Sequence, residues 1–591
     1  MTKICGLVSE DPDLRVPKVL DRMYDASWHS GYVRREVWSE GPVGLGHFSL
    51  GAVNTEPQPL HDEALGAAIV YCGKIFDYDR HRARLRKSGV RFALPDNDAE
   101  FFLHLLAASG TEHLAELNGI FSLALWNAAD RSVTLINDRY GFRPLYYYHD
   151  AARGVLAFAS DLRAILATGL PPLRVNWPAV NTFRHYGHLL GEETLFEGIR
   201  RLPSAGVLTF EDNQVRLERY WWLRDLPVRE GMSLDEAVDG CVTLFQQAIR
   251  RRLNATPARH IVTLSGGQDS RHIAAELKRQ QVEFTAYTTT GFKPMLADKV
   301  LAAAAADALG VPHVYVPLPR QGVLTHYWPR AHALMDYEVD LHQAILPLVD
   351  ALPAEPHVNF DGIVGDVCLA SLFLNEHDYR LAREGRLDEL TRQALEAGRS
   401  PPIFHPSIAR HLDEGLLYDI ILAQFQVFEG HPNLITFTYM SGRTTRAIPL
   451  FAFKLVAEKA ETFYPYADND FLEFAMSIPP EHKLDRRLHR RILDRAYPEL
   501  RGVPTTKEID PRNYVRDEIN YHGQRCRFLR QGLWQMLRGR PWVYDRRRAL
   551  PRLLLDVAVS SLGRVRQSFL CNYANMVLVQ WFMRYFPDGV D

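Results

Sequence analysis

With 591 residues, the chain is too long for one ordinary hydrophobic core and predicts two or more domains. Hydrophobic residues make up 47% and charged residues 24%, the balance of a soluble globular protein. A net charge of −2 offers no general attraction to nucleic acid or to a membrane surface. Cys5, Cys72, Cys241, Cys368, Cys526 and Cys571 are scattered without CxxC or Cys/His ligand spacing, which argues against a zinc site or disulfide framework and fits a reducing cytoplasm. No basic segment followed by an apolar one opens the chain, and no apolar run approaches the roughly 20 residues of a membrane span.

Residues 1–210 alternate short β-like runs with turn residues: 4–8, 43–50, 67–71, 121–126, 133–136, 145–148, 156–160 and 206–210. Only 99–108 reads there as a clear helix, so a layered, β-rich α+β domain is expected. A polar linker, 224–232, follows. The spacing then predicts a helix over 233–252, with Ala237, Cys241, Phe245, Ala248 and Ile249 on one face, Ser233 as N-cap and Glu236 closing a capping box. Residues 260–264 read as a buried strand that breaks at Ser265-Gly266-Gly267 and gives way to a helix carrying Ile273, Ala274 and Leu277. A strand at 284–289, an Ala-rich helix at 296–309 ending at Gly310, and a strand at 313–317 continue the alternation. That order implies a doubly wound parallel sheet, whose ligands sit at the strand C-termini. Residues 511–591 are Arg-rich, with the run Arg546-Arg547-Arg548 and an amphipathic stretch at 577–586. They read as a helical extension with a solvated face.

The turn after residue 264 has the chemistry of an anion site. Strand, Gly-rich turn and helix present backbone N–H groups and a helix N-terminus. Gly266 and Gly267 allow close approach of the backbone, and Ser265 and Ser270 can donate to phosphate oxygens. Asp269 would repel a phosphate unless a cation lay between them, which makes it a candidate Mg²⁺ ligand.

Leu264-Ser265-Gly266-Gly267-Gln268-Asp269-Ser270 resembles the pyrophosphate loop of ATP pyrophosphatases, which split ATP between the α and β phosphates. Several N-terminal segments resemble the class II glutamine amidotransferase domain of asparagine synthetases. These are Ile4-Cys5-Gly6, Gln58-Pro59-Leu60, Asp98-Ala99-Glu100, Leu117-Asn118-Gly119 and Asn137-Asp138-Arg139 through Pro144-Leu145-Tyr146. The resemblance implies an Ntn-hydrolase-like domain over 1–210 and an ATP-pyrophosphatase domain over 233–510 with a helical C-terminal part. It also implies Cys5 as the vestige of a nucleophile, Asp98 and Gly73 as remnants of a glutamine site, and Thr288 as adenosine-facing. Asn359-Phe360-Asp361-Gly362-Ile363-Val364-Gly365-Asp366 is similar to a second family loop, which implies Gly362 and Gly365 at the nucleotide and Asp366 as the second Mg²⁺ carboxylate. The segment ending Pro479-Pro480-Glu481-His482-Lys483, and the segment 497–507, imply catalytic roles for Lys483 and Lys507, the latter on the charged intermediate.

The departures carry equal information. Met1-Thr2-Lys3-Ile4 precede Cys5, so removing the initiator Met alone would not free the α-amine that serves the family as base. His47-Phe48-Ser49-Leu50 lacks the clamp arginine, and Cys72-Gly73-Lys74 stands where the family has Asn-Gly-Glu. Ile363 and Val367 replace glutamates of asparagine synthetases. The expected activity is an ATP- and Mg²⁺-dependent ligase that converts a small-molecule or peptide carboxylate to an acyl-adenylate, then to an amide with ammonia or a substrate amine, as in β-lactam synthetases and lasso-peptide cyclases. No nucleic-acid or membrane partner is expected; a homodimer and a cytoplasmic location are. Three alternatives stay open: a glutamine-hydrolysing asparagine synthetase, a tRNA-modifying enzyme, and a non-catalytic scaffold.

Overall fold

The computed structural model describes residues 2–27, 34–94, 96–254, 258–291, 296–370, 372–397 and 404–514, and of the remainder 523–524, 526–527, 530, 573–587 and 590. The N-terminal half is built on two six-stranded antiparallel sheets. One holds β1 (Lys3–Ser9), β2 (Arg34–Glu40), β3 (Val43–Ser49), β8 (Tyr146–Asp150), β9 (Val155–Ala159) and β10 (Ile199–Arg201), in the order β10-β8-β9-β1-β3-β2. The other holds β4 (Leu60–Asp62), β5 (Ala67–Ile75), β6 (Gly119–Asn127), β7 (Ser132–Asn137), β11 (Gly206–Glu211) and β12 (Gln214–Arg219), in the order β12-β11-β7-β6-β5-β4. Strand alternation gives each sheet two apolar faces. Ile4, Val8 and Leu45 pack inward against Val70, Ala124 and Leu208 of the facing sheet. Cys5 and Leu7 face the outer helices α1 (Val16–Ser27) and α4 (Leu162–Ala167), while Ile69 and Leu123 face α2 (Asp79–Lys87) and α3 (Asp98–Ser109). The result is a four-layer helix–sheet–sheet–helix sandwich.

Two expectations need correction here. Residues 98–109 are not the only helix, because α1, α2, α4 and α5 (Trp177–Tyr186) are also present. The strand β2 was not expected: Arg-Arg-Glu-Val-Trp-Ser-Glu has no buried residue, and pairing with β3 alone makes it a strand.

The helix predicted over 233–252 is α6 (Leu234–Leu253). Ser233 Oγ accepts from Glu236 N–H, and Glu236 Oε2 accepts from Ser233 N–H. It leads into a five-stranded parallel sheet: β13 (Arg259–Thr263), β14 (Phe284–Thr288), β15 (His313–Tyr315), β16 (His357–Phe360) and β17 (Ala460–Phe463), ordered β15-β14-β13-β16-β17. Helices α7 (Gln268–Arg279) and α8 (Ala297–Leu309) connect its first three strands, and α8 ends at Gly310 with φ +63.

Buried charges tie the halves together. Glu461 on β17 accepts from Thr2 N–H and pairs with Arg143, and Lys454 pairs with Asp161. Of the C-terminal extension only the described part can be judged, and Arg546-Arg547-Arg548 lie outside it. The helix Tyr573–Tyr585 buries Val577, Leu578, Trp581 and Phe582, and Trp581 and Phe582 meet Phe196 and Trp177. Met583 and Arg584 stay exposed, so this stretch packs one face into the core and leaves the other to solvent. Among the described residues no helix is long and apolar enough to cross a membrane.

Candidate active site

The chain leaves β13 toward β14 on one side and later fills the other side with β16. That reversal opens a crevice at the carboxyl ends of the strands. A cavity of about 450 Å³ lies there. Leu264 and Ser265 reach it from the loop after β13, Asp269 and Ser270 from the first turn of α7, Thr289 and Thr290 from the end of β14, Asp361 and Gly362 from the loop after β16, and Asp366 from the short helix Gly365–Cys368 that follows.

The Ser-Gly-Gly turn folds on its own serines. Ser265 N–H donates to Ser270 Oγ at 3.0 Å and Gly267 N–H to Ser265 Oγ at 3.2 Å. Gly266 N–H donates to Asp298 Oδ1 at 2.9 Å. Gly267, the N-cap of α7, carries no side chain, so the free N–H groups of the first helical turn remain available to an anion.

The two candidate metal carboxylates meet across tightly packed loops. A Cβ on Gly365 would stand 2.6 Å from Asp269 Oδ1, and one on Gly362 would stand 2.8 Å from Asp269 Cβ. Only glycine fits at either place. Val364 between them is held at φ +80, a left-handed conformation costly for a β-branched residue and of the kind that gathers at functional sites. Burial raises both carboxyls above the ordinary range. The Asp366 carboxylate pushes Asp269 further up, while Arg443 and Arg486 oppose the shift at Asp366. Asp269 Oδ1 is buried without a hydrogen-bond partner, and His489 Nδ1 lies 3.5 Å away. Among the described residues no group of three or more His, Cys, Asp or Glu forms a metal cage. Two crowded carboxylates, one with an orphaned oxygen, fit a cation that takes its other ligands from phosphate and water.

Other expected site residues fall elsewhere. Thr288 does not line the cavity. Its hydroxyl donates to Leu264 O at 2.6 Å, which turns it into the sheet, and Thr289 and Thr290 line the cavity instead. Lys507 is exposed and sits one residue from Thr506, whose N–H donates to Gly266 O at 3.0 Å. Arg271 fixes this approach by donating to the carbonyls of Gly266, Gly267, Val503 and Pro504. Lys483 does not reach the cavity at all: it is wholly buried and its Nζ has no partner.

The Lys483 environment gives a first prediction. Burial pulls its ammonium down to about 8, against an ordinary 10.5, with Cys368 and Cys241 partly opposing. Between these two values the unfolded chain holds a proton that the folded chain has shed, so this group makes stability rise with pH across that window. Lys483→Met should therefore stabilise the fold by about 3 kcal/mol at pH 7. The gain should fade toward pH 10, as read from denaturant midpoints at both pH values. A destabilised variant at pH 7 would mean that the ammonium is needed in place.

The N-terminal site is closed by its own side chains. Cys5 lies inside β1, paired with Gly46 and Ala159, and is fully buried. Burial pushes its thiol up to about 12. Asp98 is also fully buried and spends both oxygens: Lys74 Nζ donates to Oδ1 at 2.9 Å, and Asn54 Nδ2 and Ile75 N–H donate to Oδ2. Gly73 has φ +134, and a Cβ there would collide with Ile120 O and Phe121 Cα. A cavity of only about 10 Å³ separates Gly73 and Lys74 from Glu461 and Thr462 of the parallel sheet.

Sequence reasoning missed Asp298, Asp361, Arg271, Arg443 and His489. Asp361 accepts from Thr263 Oγ1 and Ile363 N–H and so braces the loop that carries Asp366. The Asp361-Gly362 pair directly after the run His357–Phe360 is the one signal that could have pointed to it.

Known proteins resemble both halves. Residues 1–221 match the family described as glutamine amidotransferase domain, and residues 242–394 the family described as asparagine synthase. The amidase chry2 of Gibberella zeae is 30% identical over 269 residues, 44% of this chain and 39% of that protein. The glutamine-hydrolyzing asparagine synthetase 3 of Bacillus subtilis is 30% identical over 263 residues, 44% of this chain and 42% of that protein. The human glutamine-hydrolyzing asparagine synthetase is 25% identical over 431 residues, 70% of this chain and 65% of that protein. The chain thus spans about two fifths of the length of the first two relatives.

Proposed function

Because the chain belongs to the asparagine synthetase family, we propose that it is an ATP-dependent amide-forming ligase whose N-terminal half does not hydrolyse glutamine. The observation that carries this reading is the pair Asp269 and Asp366, crowded across two glycine-tight loops beside the Ser-Gly-Gly turn. Asp269 and Asp366 would hold Mg²⁺, which when bound supplies charge neutralisation for phosphate oxygens. Ser265, Ser270 and the first turn of α7 would hold the pyrophosphate end of ATP.

A substrate carboxylate oxygen forms a bond to the α-phosphorus, the α–β phosphoanhydride bond breaks, and pyrophosphate leaves. An amine then attacks the acyl carbon, the bond to the AMP oxygen breaks, and the amine loses a proton. Lys507, held near the loop through Thr506 and Arg271, is positioned to offset the negative charge of these steps. The sealed Cys5 and the Lys74–Asp98 pair support ammonia or a substrate amine, entering from the synthetase side, as the nitrogen source.

Exchange of labelled pyrophosphate into ATP tests the proposal. It should require Mg²⁺ and a carboxylic acid, and the same protein should release no ammonia from glutamine. Cys5→Ala should leave the exchange rate within about two-fold, because losses of that size fall well below those seen when a reacting group is removed. Glutamine-dependent amide formation abolished by Cys5→Ala would overturn the silent-domain reading.

A further inference from the structure

Part of the cavity wall is apolar: Ile345, Leu348, Ile363, Ile448 and Phe451 line it. These side chains come from three separate segments, and Leu348, Ile363, Ile448 and Phe451 are all buried, so they form a firmly packed surface.

The charges around that wall are few. Four acids line the cavity: Asp269, Asp298, Asp361 and Asp366. Asp298 is occupied by Gly266 N–H and Asp361 by Thr263 and Ile363. The remaining two are assigned above to the cation. Among the described lining residues, Arg443 is the one Lys or Arg. Its guanidinium carbon lies 5.0 Å from the centre of the Phe373 ring, and the carboxylates of Asp366 and Asp340 act on it through space. His342 stands beside it with its ring 4.5 Å from that of Phe451 and its backbone at φ +63.

Aspartate would bring two carboxylates and an ammonium into this space. One carboxylate could meet Arg443. The second would lie without a cation against apolar side chains, and the ammonium would compete with the metal for Asp269 and Asp366. Burying an unpaired charge against such a wall is prohibitive, whereas an apolar group gains by it. Resting on the ligase reading above, we infer that the acid activated here is a monocarboxylic acid with an apolar aliphatic or aromatic body. Its carboxylate faces Arg443 and its body lies on Ile345, Leu348, Ile363, Ile448 and Phe451.

The test is pyrophosphate exchange by the full-length protein against hexanoate, 3-phenylpropanoate, aspartate and glutamate, with Mg-ATP affinity measured separately by calorimetry using α,β-methylene ATP. The apolar acids should support exchange with KM at least ~10-fold below that of aspartate, the scale set by a few buried methylene groups. Phe451→Ala should raise KM for 3-phenylpropanoate by ~10-fold while nucleotide affinity stays unchanged. Preference for aspartate or glutamate overturns the inference and leaves the ligase reading intact. Nucleotide binding without exchange for any acid also overturns it, and failure to bind nucleotide overturns both. The wild-type panel decides the matter even if Phe451→Ala does not fold.

Discussion

Asp366→Asn should lower Mg²⁺-dependent pyrophosphate exchange by about 10²–10³-fold, the size of losing one preorganised charge partner at a reacting centre. Asparagine keeps the shape of the side chain and the backbone contacts of the 361–366 loop, and removes only the charge. Because burial disfavours the ionised form at this position, the neutral variant should fold at least as stably as the parent. The combination is diagnostic. A carboxylate kept for structure would show the opposite pattern, with lost stability and residual exchange. Thermal midpoint and exchange rate, measured on the same preparation, separate the two.

Gly365→Ala is the second large effect. The added methyl would stand 2.6 Å from Asp269 Oδ1 and 2.9 Å from Tyr466 Cε2. Neither neighbour can yield easily: Asp269 has a short side chain fixed at the start of α7, and Tyr466 is fully buried with its hydroxyl bonded to His272. The loop and Asp269 must therefore separate. A displacement of about 1 Å at a positioning group can cost about 10²-fold in rate, and overpacking of this kind costs about 1–3 kcal/mol in stability. Exchange at saturating ATP should fall about 10²-fold, with a lowered unfolding midpoint. Retained exchange would mean that the two loops are not the rigid pair described here.

β1, β3, β5–β9, β11 and β13–β15 were legible because they are short apolar runs bounded by turn residues, whereas β4, β10 and β17, which present no such run, were not. Nor was β2, since its seven residues are largely polar and owe their conformation to β3. The Ser-Gly-Gly turn and Asp269 announce themselves through glycine spacing and a carboxylate in an anion loop. Asp298 cannot be read that way. It opens an ordinary Ala-rich helix, and its contact with Gly266 exists only because α8 packs across the turn. Lys483 shows the converse limit: a motif supplied the residue, but only packing shows that its ammonium is sealed away from the cavity. The apolar wall of the cavity was invisible for the same reason, because residues 342–348 and 443–451 join the 265–270 turn only in the folded chain.

The broken glutaminase set could be listed from sequence as missing residues. The structure adds what fills the space. Lys74 pairs with Asp98 at 2.9 Å, so the carboxylate expected to meet a ligand is bonded within the fold. The residues ahead of Cys5 are likewise bound into the interface, where Thr2 N–H donates to Glu461 and Thr2 O accepts from Arg143. These contacts hold the start of the N-terminal half against β17 of the parallel sheet.

The most direct test of the account follows an oxygen atom. An acid that supports exchange, labelled with ¹⁸O in its carboxylate, is converted to its amide with ammonia and Mg-ATP, and the nucleotide products are examined by mass spectrometry. Adenylation predicts one ¹⁸O in AMP, with unlabelled pyrophosphate as the other product. ADP together with ¹⁸O-labelled phosphate, or AMP carrying no label, would contradict it.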